Sequence, residues 1–161
     1  MAYIAVNTTE TFVRLDIKDA SLSANANAAF ATTANVLTVP SLQEITVNAT
    51  PGLFRWQELG FLSEKVVTTP STNSINTTLV LDDTAFFTGN ASTAGIFDLT
   101  NNKTKIYFRL YWAGDDSGDK FIQGEGYLSA LAPTVSPTAP VWTAPVTIEV
   151  VGNYESGSVS P

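Results

Sequence analysis

Two residue types that carry much of enzyme and metal chemistry are missing from this sequence, which contains no cysteine and no histidine. Without cysteine there are no disulfide bonds and no thiolate metal ligands, so the fold must be held by burial and hydrogen bonding. Without histidine there is no Ser-His-Asp catalysis and no imidazole metal ligand. Most of the common catalytic repertoire is therefore excluded.

Long apolar runs are also missing. No stretch of eighteen apolar residues occurs, and the first residues, MAYIAVNTTETF, lack the basic and apolar regions of a signal peptide. These features predict a soluble protein that is made in a cytoplasm and does not enter a membrane.

Positive charge is scarce. The chain has 8 lysines and arginines against 15 aspartates and glutamates, which gives a net charge of -7. Affinity for nucleic-acid phosphates comes from clustered lysine and arginine, so this balance argues against a DNA-binding protein. An acidic surface repels DNA, and that repulsion can itself be a function.

The chain is long enough to form one hydrophobic core, and its residues follow a pattern typical of strands. Its 161 residues are 44% hydrophobic, which is enough to fill the core of a single domain. Apolar and polar residues alternate with a period of two in much of the chain, as half-buried strands require. The predicted strands cover residues 12–18, 43–50, 63–69, 76–82, 105–112, 120–131 and 145–151. This pattern predicts a mainly β fold, either a β-sandwich or a small β-barrel.

Helix and loop signals are few. One short helix is expected between residues 82 and 99, capped by Asp82, Asp83 or Ser92. Two long irregular segments, 21–35 and 132–144, are predicted to be loops, and the small residues of the first predict a mobile arm. The expected organisation is a single domain over residues 1–155 followed by a flexible C-terminal tail at 156–161.

The sequence Gly124-Glu125-Gly126 resembles the first two glycines of a dinucleotide-binding loop. Ser129 stands where the third glycine is needed, and no helix pattern follows. We therefore predict that Gly124 and Gly126 lie in a strand, where glycine permits close backbone approach or a bulge.

The stretch from residue 115 to residue 120 carries two weak motifs. Ser117 and Lys120 match the S-x-x-K pattern of a lysine-activated serine, but they lie in a glycine-bearing turn and not at a helix start. Asp115, Ser117 and Asp119 match three positions of a calcium loop, whose required glycine is replaced by Lys120. A solvated acidic turn is the better interpretation of both.

Aromatic residues leave two interpretations open. They could form a platform on which sugar rings stack, or they could be core residues, cross-strand partners and interface anchors, and the second interpretation is favoured. The residues concerned are Trp56, Tyr107, Tyr111, Trp112 and Trp142.

The order of features is more informative than any one motif. The threonine-rich strand STNSINTTLVL at 71–81 leads into two aspartates and a short helical stretch. A strand of alternating aromatics follows, then G-x-G-Y-x-S-x-L at 124–131, a proline-marked loop and a β-branched final strand that ends at Gly152. Over residues 55–152 this succession resembles the major tail tube proteins of long-tailed bacteriophages.

The resemblance implies a β-sandwich or small barrel that assembles into hexameric rings, which stack into the hollow tail tube of a virion. Such a protein carries no cofactor and no catalytic residue, so it is not an enzyme. Its partners are other copies of itself, tail proteins such as the tape measure and the tail terminator, and double-stranded DNA that passes without specific binding. It is made in the host cytoplasm and works in the virion tail.

The alternation of polar and apolar residues along the strands indicates candidates for residues that line the channel. Asp16, Glu125 and Glu149 lie on the polar sides of their strands and are the candidates for acids that face the lumen. A wall of this charge keeps passing DNA from binding.

A second set is nominated for contacts between subunits. Tyr107, Arg109 and Tyr111 share a strand face that is too apolar and too cationic for an idle surface on an acidic protein, and Trp142 is a large apolar residue in a predicted loop. Gly124 and Gly126 would allow close approach where the sheets of neighbouring subunits meet.

Two alternatives from other classes remain at this stage. The first is a carbohydrate-binding or adhesin-type β-sandwich that uses exposed aromatics. The second is a capsid decoration protein, which shares the size and β character but binds a head lattice.

Overall fold

Alternating apolar side chains organise the chain into eight strands in the computed structural model, which describes residues 13–39, 42–60 and 62–160. The strands are β1 (Arg14–Asp19), β2 (Leu37–Val39), β3 (Leu42–Trp56), β4 (Lys65–Val80), β5 (Lys105–Tyr111), β6 (Lys120–Ser129), β7 (Thr134–Ser136) and β8 (Ala139–Ser158). The helices are α1 (Ala26–Ala29) and α2 (Ile96–Asn101), with a 3₁₀ turn at Ala20–Leu22 and a π-helical turn at Thr84–Thr88. The predicted mainly β fold with little helix is confirmed.

All strand pairs are antiparallel and form one sheet in the order β2-β1-β5-β6-β8-β4-β3, with β7 paired to β8. The sheet is not closed into a barrel by hydrogen bonds between the strands that the structure describes. It must nevertheless curl, because β2 and β3 stand at opposite ends of this order and only two residues separate them in the sequence. Three Cα steps span at most about 11 Å. The sheet therefore has a concave inner face and a convex outer face.

The inner face carries the hydrophobic core. Ile17, Ile75, Phe108 and Ile148, on four different strands, are almost fully buried there. Burial of each such side chain contributes about 1.5–3 kcal/mol. The π-helical turn and α2 add Phe86, Ile96 and Leu99 to the same core.

The short helix expected between residues 82 and 99 is found there as two elements. The Asp82 carboxylate accepts a hydrogen bond from the Ala85 backbone N–H at 3.0 Å, so the predicted capping role of Asp82 is confirmed. Gly95 precedes α2, and a Cβ at this position would lie 2.5 Å from the carbonyl oxygen of Phe87. Glycine there lets α2 pack directly on the π-helical turn.

The expected loop at 132–144 is in large part a hairpin. β7 pairs with β8, and residues 137 and 138 form the turn. Proline at position 137 suits such a turn because its φ is already fixed near the required value. The C-terminal residues differ from expectation too, since Ser156, Gly157 and Ser158 belong to β8 and pair with β6.

Residues 20–35, which we call the cover segment, are packed on the outer face of the sheet. Local caps hold its shape: the Asp19 carboxylate accepts from Ser21 N–H at 2.8 Å and the Asn25 side chain from Ala28 N–H at 2.9 Å. Ala29 is fully buried against the sheet. The small residues of this segment allow it to pack closely on the sheet.

The hydroxyl of Tyr154 ties the end of β8 to β3 and β4. It lies 2.8 Å from the Asn48 carbonyl oxygen and 2.9 Å from the Ser74 carbonyl oxygen, and its burial raises its pKa. We expect Tyr154→Phe to lower the free energy of unfolding by about 1 kcal/mol, because two carbonyl groups lose a hydrogen-bond donor. Urea denaturation measures this. Tyr127→Phe, at an exposed tyrosine, is the control and should change stability by less than about 0.5 kcal/mol; equal effects of the two would contradict the role of Tyr154.

Candidate assembly surfaces

The aromatic and cationic face of β5 is buried within the subunit. Tyr107, Arg109 and Tyr111 are 8%, 9% and 7% exposed, and the cover segment packs on Tyr107 and Arg109. The sequence correctly indicated that this face needs a partner. That partner is in the same chain, so these three residues do not form a free surface for another subunit.

Arg109 is the centre of this covered face. Its Nε and Nη2 both donate to Oε1 of Gln123, at 3.0 and 2.6 Å. The guanidinium carbon lies 4.0 Å from the centre of the Phe121 ring and 4.9 Å from that of Phe30, a residue of the cover segment. Gln123 in turn donates to Asn27 at 2.7 Å. Arg109 and Gln123 thus hold the cover segment to the sheet.

Arg109→Lys is expected to lower the free energy of unfolding by about 1.5–3 kcal/mol, because lysine cannot reproduce the planar stacking and the paired donors. Amide exchange at Ala28 and Ala29 should become faster as the cover segment loosens. Urea denaturation and hydrogen exchange measure the two effects. The control is Arg55→Lys, at an exposed arginine, and an Arg109→Lys variant as stable as this control would contradict the account.

Asp16 does not project from the subunit as expected of a lumen acid. Its side chain is 2% exposed and pairs with Arg14 at 2.9 Å, and it also accepts from Thr38 at 2.8 Å. Burial opposes the charge of Arg14, but the hydrogen bond and charge of Asp16 outweigh it and raise the pKa of Arg14. Arg14 also contacts Asp115. The alternation of polar and apolar residues identified the polar side of β1 correctly, but it did not identify the residues that bury this side.

The outer face of β3, β4 and β8 remains open, and we call it the open polar face. Threonine, serine and asparagine predominate on it, together with exposed Glu44 and Glu149. Glu149 accepts from Ser129 at 3.3 Å. Glu125 is beside this face and pairs with Lys105 at 2.8 Å, a hydrogen bond that raises the pKa of Lys105. Glu44 was not among the acids nominated from the sequence, although it lies in a predicted strand and shares a side with Thr46.

The two sheet glycines are needed inside the subunit. A Cβ on Gly126 would collide with the carbonyl oxygen of Glu149 in β8, and one on Gly124 would lie 3.0 Å from the Phe108 ring. The pairing of β6 with β8 shifts register between Gln123 and Glu125, which marks a bulge or irregularity. Close approach and a register shift, the two predicted reasons for glycine, are both found within the chain.

Beyond the core, β3 and β4 continue as a two-stranded ribbon. We call this ribbon, together with the described residues that join its strands (49–60 and 62–72), the hairpin arm. Phe54 and Trp56 stack with their ring centres 5.8 Å apart, and Val67 lies opposite Phe54 in the strand register. Phe54 is 57% exposed. Ion pairs Arg55–Glu64 at 3.1 Å and Lys65–Glu58 at 2.6 Å link the end of each strand to the connection between the strands.

A second apolar surface, the aromatic groove, lies between the π-helical turn, α2 and the β7–β8 hairpin. Its volume is about 500 Å³. The ring centre of Phe87 lies 4.7 Å from that of Phe86, in an edge-on arrangement, and 6.0 Å from that of Phe97. Trp142 also lines the groove. Phe87 and Trp142 are 56% and 53% exposed. Trp142 is therefore exposed, unlike the three β5 residues.

The remaining motifs do not form a site. Tyr107 and Tyr111 are buried, whereas Trp56 is on the hairpin arm and Trp142 lines the aromatic groove, so these aromatics do not make one sugar-stacking platform. Asp119 caps a turn by accepting from Asp116 N–H at 3.2 Å. Within residues 13–39, 42–60 and 62–160, no three acidic side chains lie close enough together to hold a metal ion. No helix in these ranges is long and apolar enough to cross a membrane.

Comparison with known proteins identifies the fold. No protein-family model and no curated protein sequence matches this chain. Among solved structures, the chain is similar to the SPP1 tail tube determined by solid-state NMR and cryo-EM, with a TM-score of 0.65, 13% identity, and coverage of 98% of this chain and 81% of that one. It is also similar to a chain of the native gene transfer agent virion, with a TM-score of 0.60, 12% identity, and coverage of 96% and 100%.

A third similar structure is the tail of an empty gene transfer agent particle refined with C6 symmetry. The TM-score is 0.58 at 10% identity, with coverage of 78% of this chain and 89% of that one. The chain therefore has the fold found in phage tail tubes and gene transfer agent tails.

Proposed function

We propose that this chain is the structural subunit of a phage tail tube, in which hexameric rings stack to enclose a channel for double-stranded DNA. The observation that carries the proposal is the similarity to a tail tube over 98% of the chain. The sixfold ring is supported by the C6 symmetry of the gene transfer agent tail. The protein acts by assembly and not by catalysis, and its place of action is the virion tail.

The surfaces of the subunit support self-assembly. The hairpin arm exposes Leu53, Phe54 and Val67, and the aromatic groove exposes Phe87 and Trp142. Exposed apolar patches of this kind mark interaction sites, since a monomer rarely leaves them in water. The long edge of β3, which has β4 as its single partner in the described part of the chain, is a further surface that assembly would protect.

The open polar face supports the role of channel wall. It presents short hydroxyl and amide side chains with Glu44 and Glu149, and so offers DNA no cluster of cations. Of the three acids nominated from the sequence, Glu149 remains the candidate for a residue that faces the lumen. The charge of Glu125 is neutralised by its ion pair with Lys105. Asp16 is too buried to face a channel. Glu44 replaces Asp16 in the proposal.

Sedimentation of the purified protein over a range of concentrations tests the function. We expect species of six subunits and multiples of six, which lengthen into tubes in electron micrographs. A protein that stays monomeric at millimolar concentration, or that is retained by DNA at physiological salt, would contradict the proposal.

A further inference from the structure

A second concave site lies beside the cover segment, at the end of the sheet where β1 begins and β8 ends. We call it the arginine cavity, because Arg14 and Arg109 both line it. Its volume is about 520 Å³, and its walls include Phe30 and Thr33 of the cover segment and Ser158, the last residue of β8. No described residue of the hairpin arm or of the aromatic groove lines this cavity, so it is a separate site.

Arg109 brings a buried positive charge to the arginine cavity. It is 9% exposed, and it forms no ion pair within the part of the chain that the structure describes. Asp16 lies opposite Arg109 in the register of β1 and β5. The Asp16 carboxylate, however, pairs with Arg14 and accepts a hydrogen bond from Thr38. Because a buried charge without an ion-pair partner is costly, an anion that reaches Arg109 gains a strong interaction.

The guanidinium of Arg109 leaves one of its hydrogen-bonding edges free. Nε and Nη2 donate to Gln123, whereas Nη1 donates to no residue that the structure describes. No fully buried side-chain nitrogen or oxygen among the described residues lacks a hydrogen-bond partner. Nη1 must therefore reach open space, and the arginine cavity is a space that Arg109 lines.

The free edge has the geometry that a carboxylate requires. Nη1 and the second N–H of Nη2 form a fork at the end of the guanidinium, and such a fork donates two parallel hydrogen bonds to the oxygens of one carboxylate. The rings of Phe121 and Phe30 hold the plane of the guanidinium, with their centres 4.0 and 4.9 Å from its central carbon. A ligand therefore meets a donor pair that is already oriented.

We propose that the arginine cavity binds a carboxylate ligand with an apolar body, and that the free edge of Arg109 holds the carboxylate. The body of such a ligand would contact Phe30, Phe121 and Val36, which line the cavity. Hydroxyl groups of Thr33 and Ser158 in the walls offer further hydrogen bonds.

The charges around the cavity favour a ligand with a single negative charge. The charged residues that line it are Arg14, Arg109, Asp16 and Asp115, whose formal charges cancel. Arg14 is held by both aspartates, which leaves Arg109 to neutralise the ligand. A second negative charge, as on a phosphate monoester, would meet the aspartates without compensation.

Titration of the full chain with phenylacetate tests the site, because this probe joins one carboxylate to an apolar ring. Calorimetry measures the affinity, and heteronuclear NMR of the Arg109 Nε–H group reports the place of binding. We expect a dissociation constant of about 0.1–3 mM, as the small size of the probe allows. Phenylacetamide, which has the same shape without the charge, should bind at least about tenfold more weakly. Phenyl phosphate should also bind more weakly than phenylacetate.

A second titration identifies the source of the carboxylate, which is present both in free small acids and in the acidic side chains of a peptide. The probe is an acetylated and amidated Phe-Glu dipeptide, whose one carboxylate is the glutamate side chain. Binding at least as tight as that of phenylacetate would assign the site to an acidic peptide segment. Weaker binding would assign it to a free small acid. Both results support a carboxylate site.

A variant that leaves Arg109 intact tests the cavity itself. Thr33→Glu places a carboxylate in the wall at an exposed residue. It should weaken phenylacetate binding by at least about tenfold, because the new acid competes for the free edge of Arg109 and repels the ligand. Thr134→Glu is the matched control, since it makes the same change at an exposed threonine of β7 that does not line the cavity. It should bind phenylacetate as wild type does.

Three results would overturn the carboxylate site. They are equal affinity for phenylacetate and phenylacetamide, an unshifted Arg109 resonance at about 10 mM phenylacetate, and wild-type affinity in Thr33→Glu. None of these measurements requires assembly. The site therefore stands if the chain forms no tubes, and the proposed tube function stands if the site fails.

Discussion

Glu149→Lys is expected to leave the tube intact and to reduce DNA delivery by at least about tenfold. The side chain is exposed on the open polar face, so the change should alter the stability of the subunit by less than about 0.5 kcal/mol. In a ring of six subunits the substitution replaces six acids with six cations. Each phosphate contact that forms releases counterions and increases affinity, so the wall would hold DNA that now slides past it. Glu44→Lys should act in the same way.

Asp116→Lys is the control, because it makes the same charge change in an exposed turn remote from the open polar face. The measurement is the amount of DNA delivered by particles built with each variant, after electron microscopy has shown normal tubes. Screening limits the wall charges to DNA within about 8 Å at physiological salt, so only acids that line the channel should matter. Normal delivery by Glu149→Lys, or equal defects in Glu149→Lys and Asp116→Lys, would contradict the acidic wall.

Gly126→Ala is expected to lower the free energy of unfolding by about 3 kcal/mol, the upper part of the range for overpacked sites. The new Cβ would collide with the backbone carbonyl oxygen of Glu149 and lie 3.2 Å from Cγ2 of Ile148. Backbone cannot move aside as a side-chain end can, so β6 and β8 must separate at the middle of the sheet. The loss comes from strained pairing and not from lost burial.

Gly124→Ala supplies the comparison on the same strand. There the nearest atom is the tip of the Phe108 ring at 3.0 Å, and a small rotation of this ring makes room. We expect a loss of about 1 kcal/mol for Gly124→Ala. Denaturant midpoints of the two variants measure the difference. If Gly124→Ala is as destabilising as Gly126→Ala, the close approach of the two backbones is not what demands glycine at position 126.

Much of the secondary structure is predictable because strands have a direct signature in the sequence. The alternation at residues 105–112 places β5 within one residue, and the absence of a third glycine after Gly126 correctly assigned this stretch to a strand. The alternating pattern also separates the inner from the outer face. The threonine-rich stretch at 71–81 belongs to β4, a strand longer than either of the two segments predicted for it.

What could not be predicted depends on contacts between residues far apart in the chain. The burial of Asp16 and Arg109 requires the cover segment to fold back onto the sheet, and its composition, rich in alanine and asparagine, is equally typical of a mobile loop. The curl of the sheet follows from a strand order that puts β2 and β3 at opposite ends, and that order depends on the pairing of β1 with β5, which are about ninety residues apart. The alternation of polar and apolar residues predicts which side chains lie on the polar face of a strand, but it does not predict which segment covers that face.

The assembly surfaces were only partly visible in the sequence. Trp142 was nominated from the sequence as a residue in need of a partner, whereas Phe54 on the arm was not, because nothing in its local pattern differs from a strand of the core. The difference arises from length. β3 and β4 extend beyond the body, and their apolar residues on the hairpin arm have no core to enter.

A cryo-EM reconstruction of the assembled protein tests the central claim most directly. We expect rings of six copies stacked into a tube, with Glu44 and Glu149 lining the channel and the cover segment still packed on β5 and β6. An assembly without a central channel, or one in which the open polar face is buried between subunits, would contradict it.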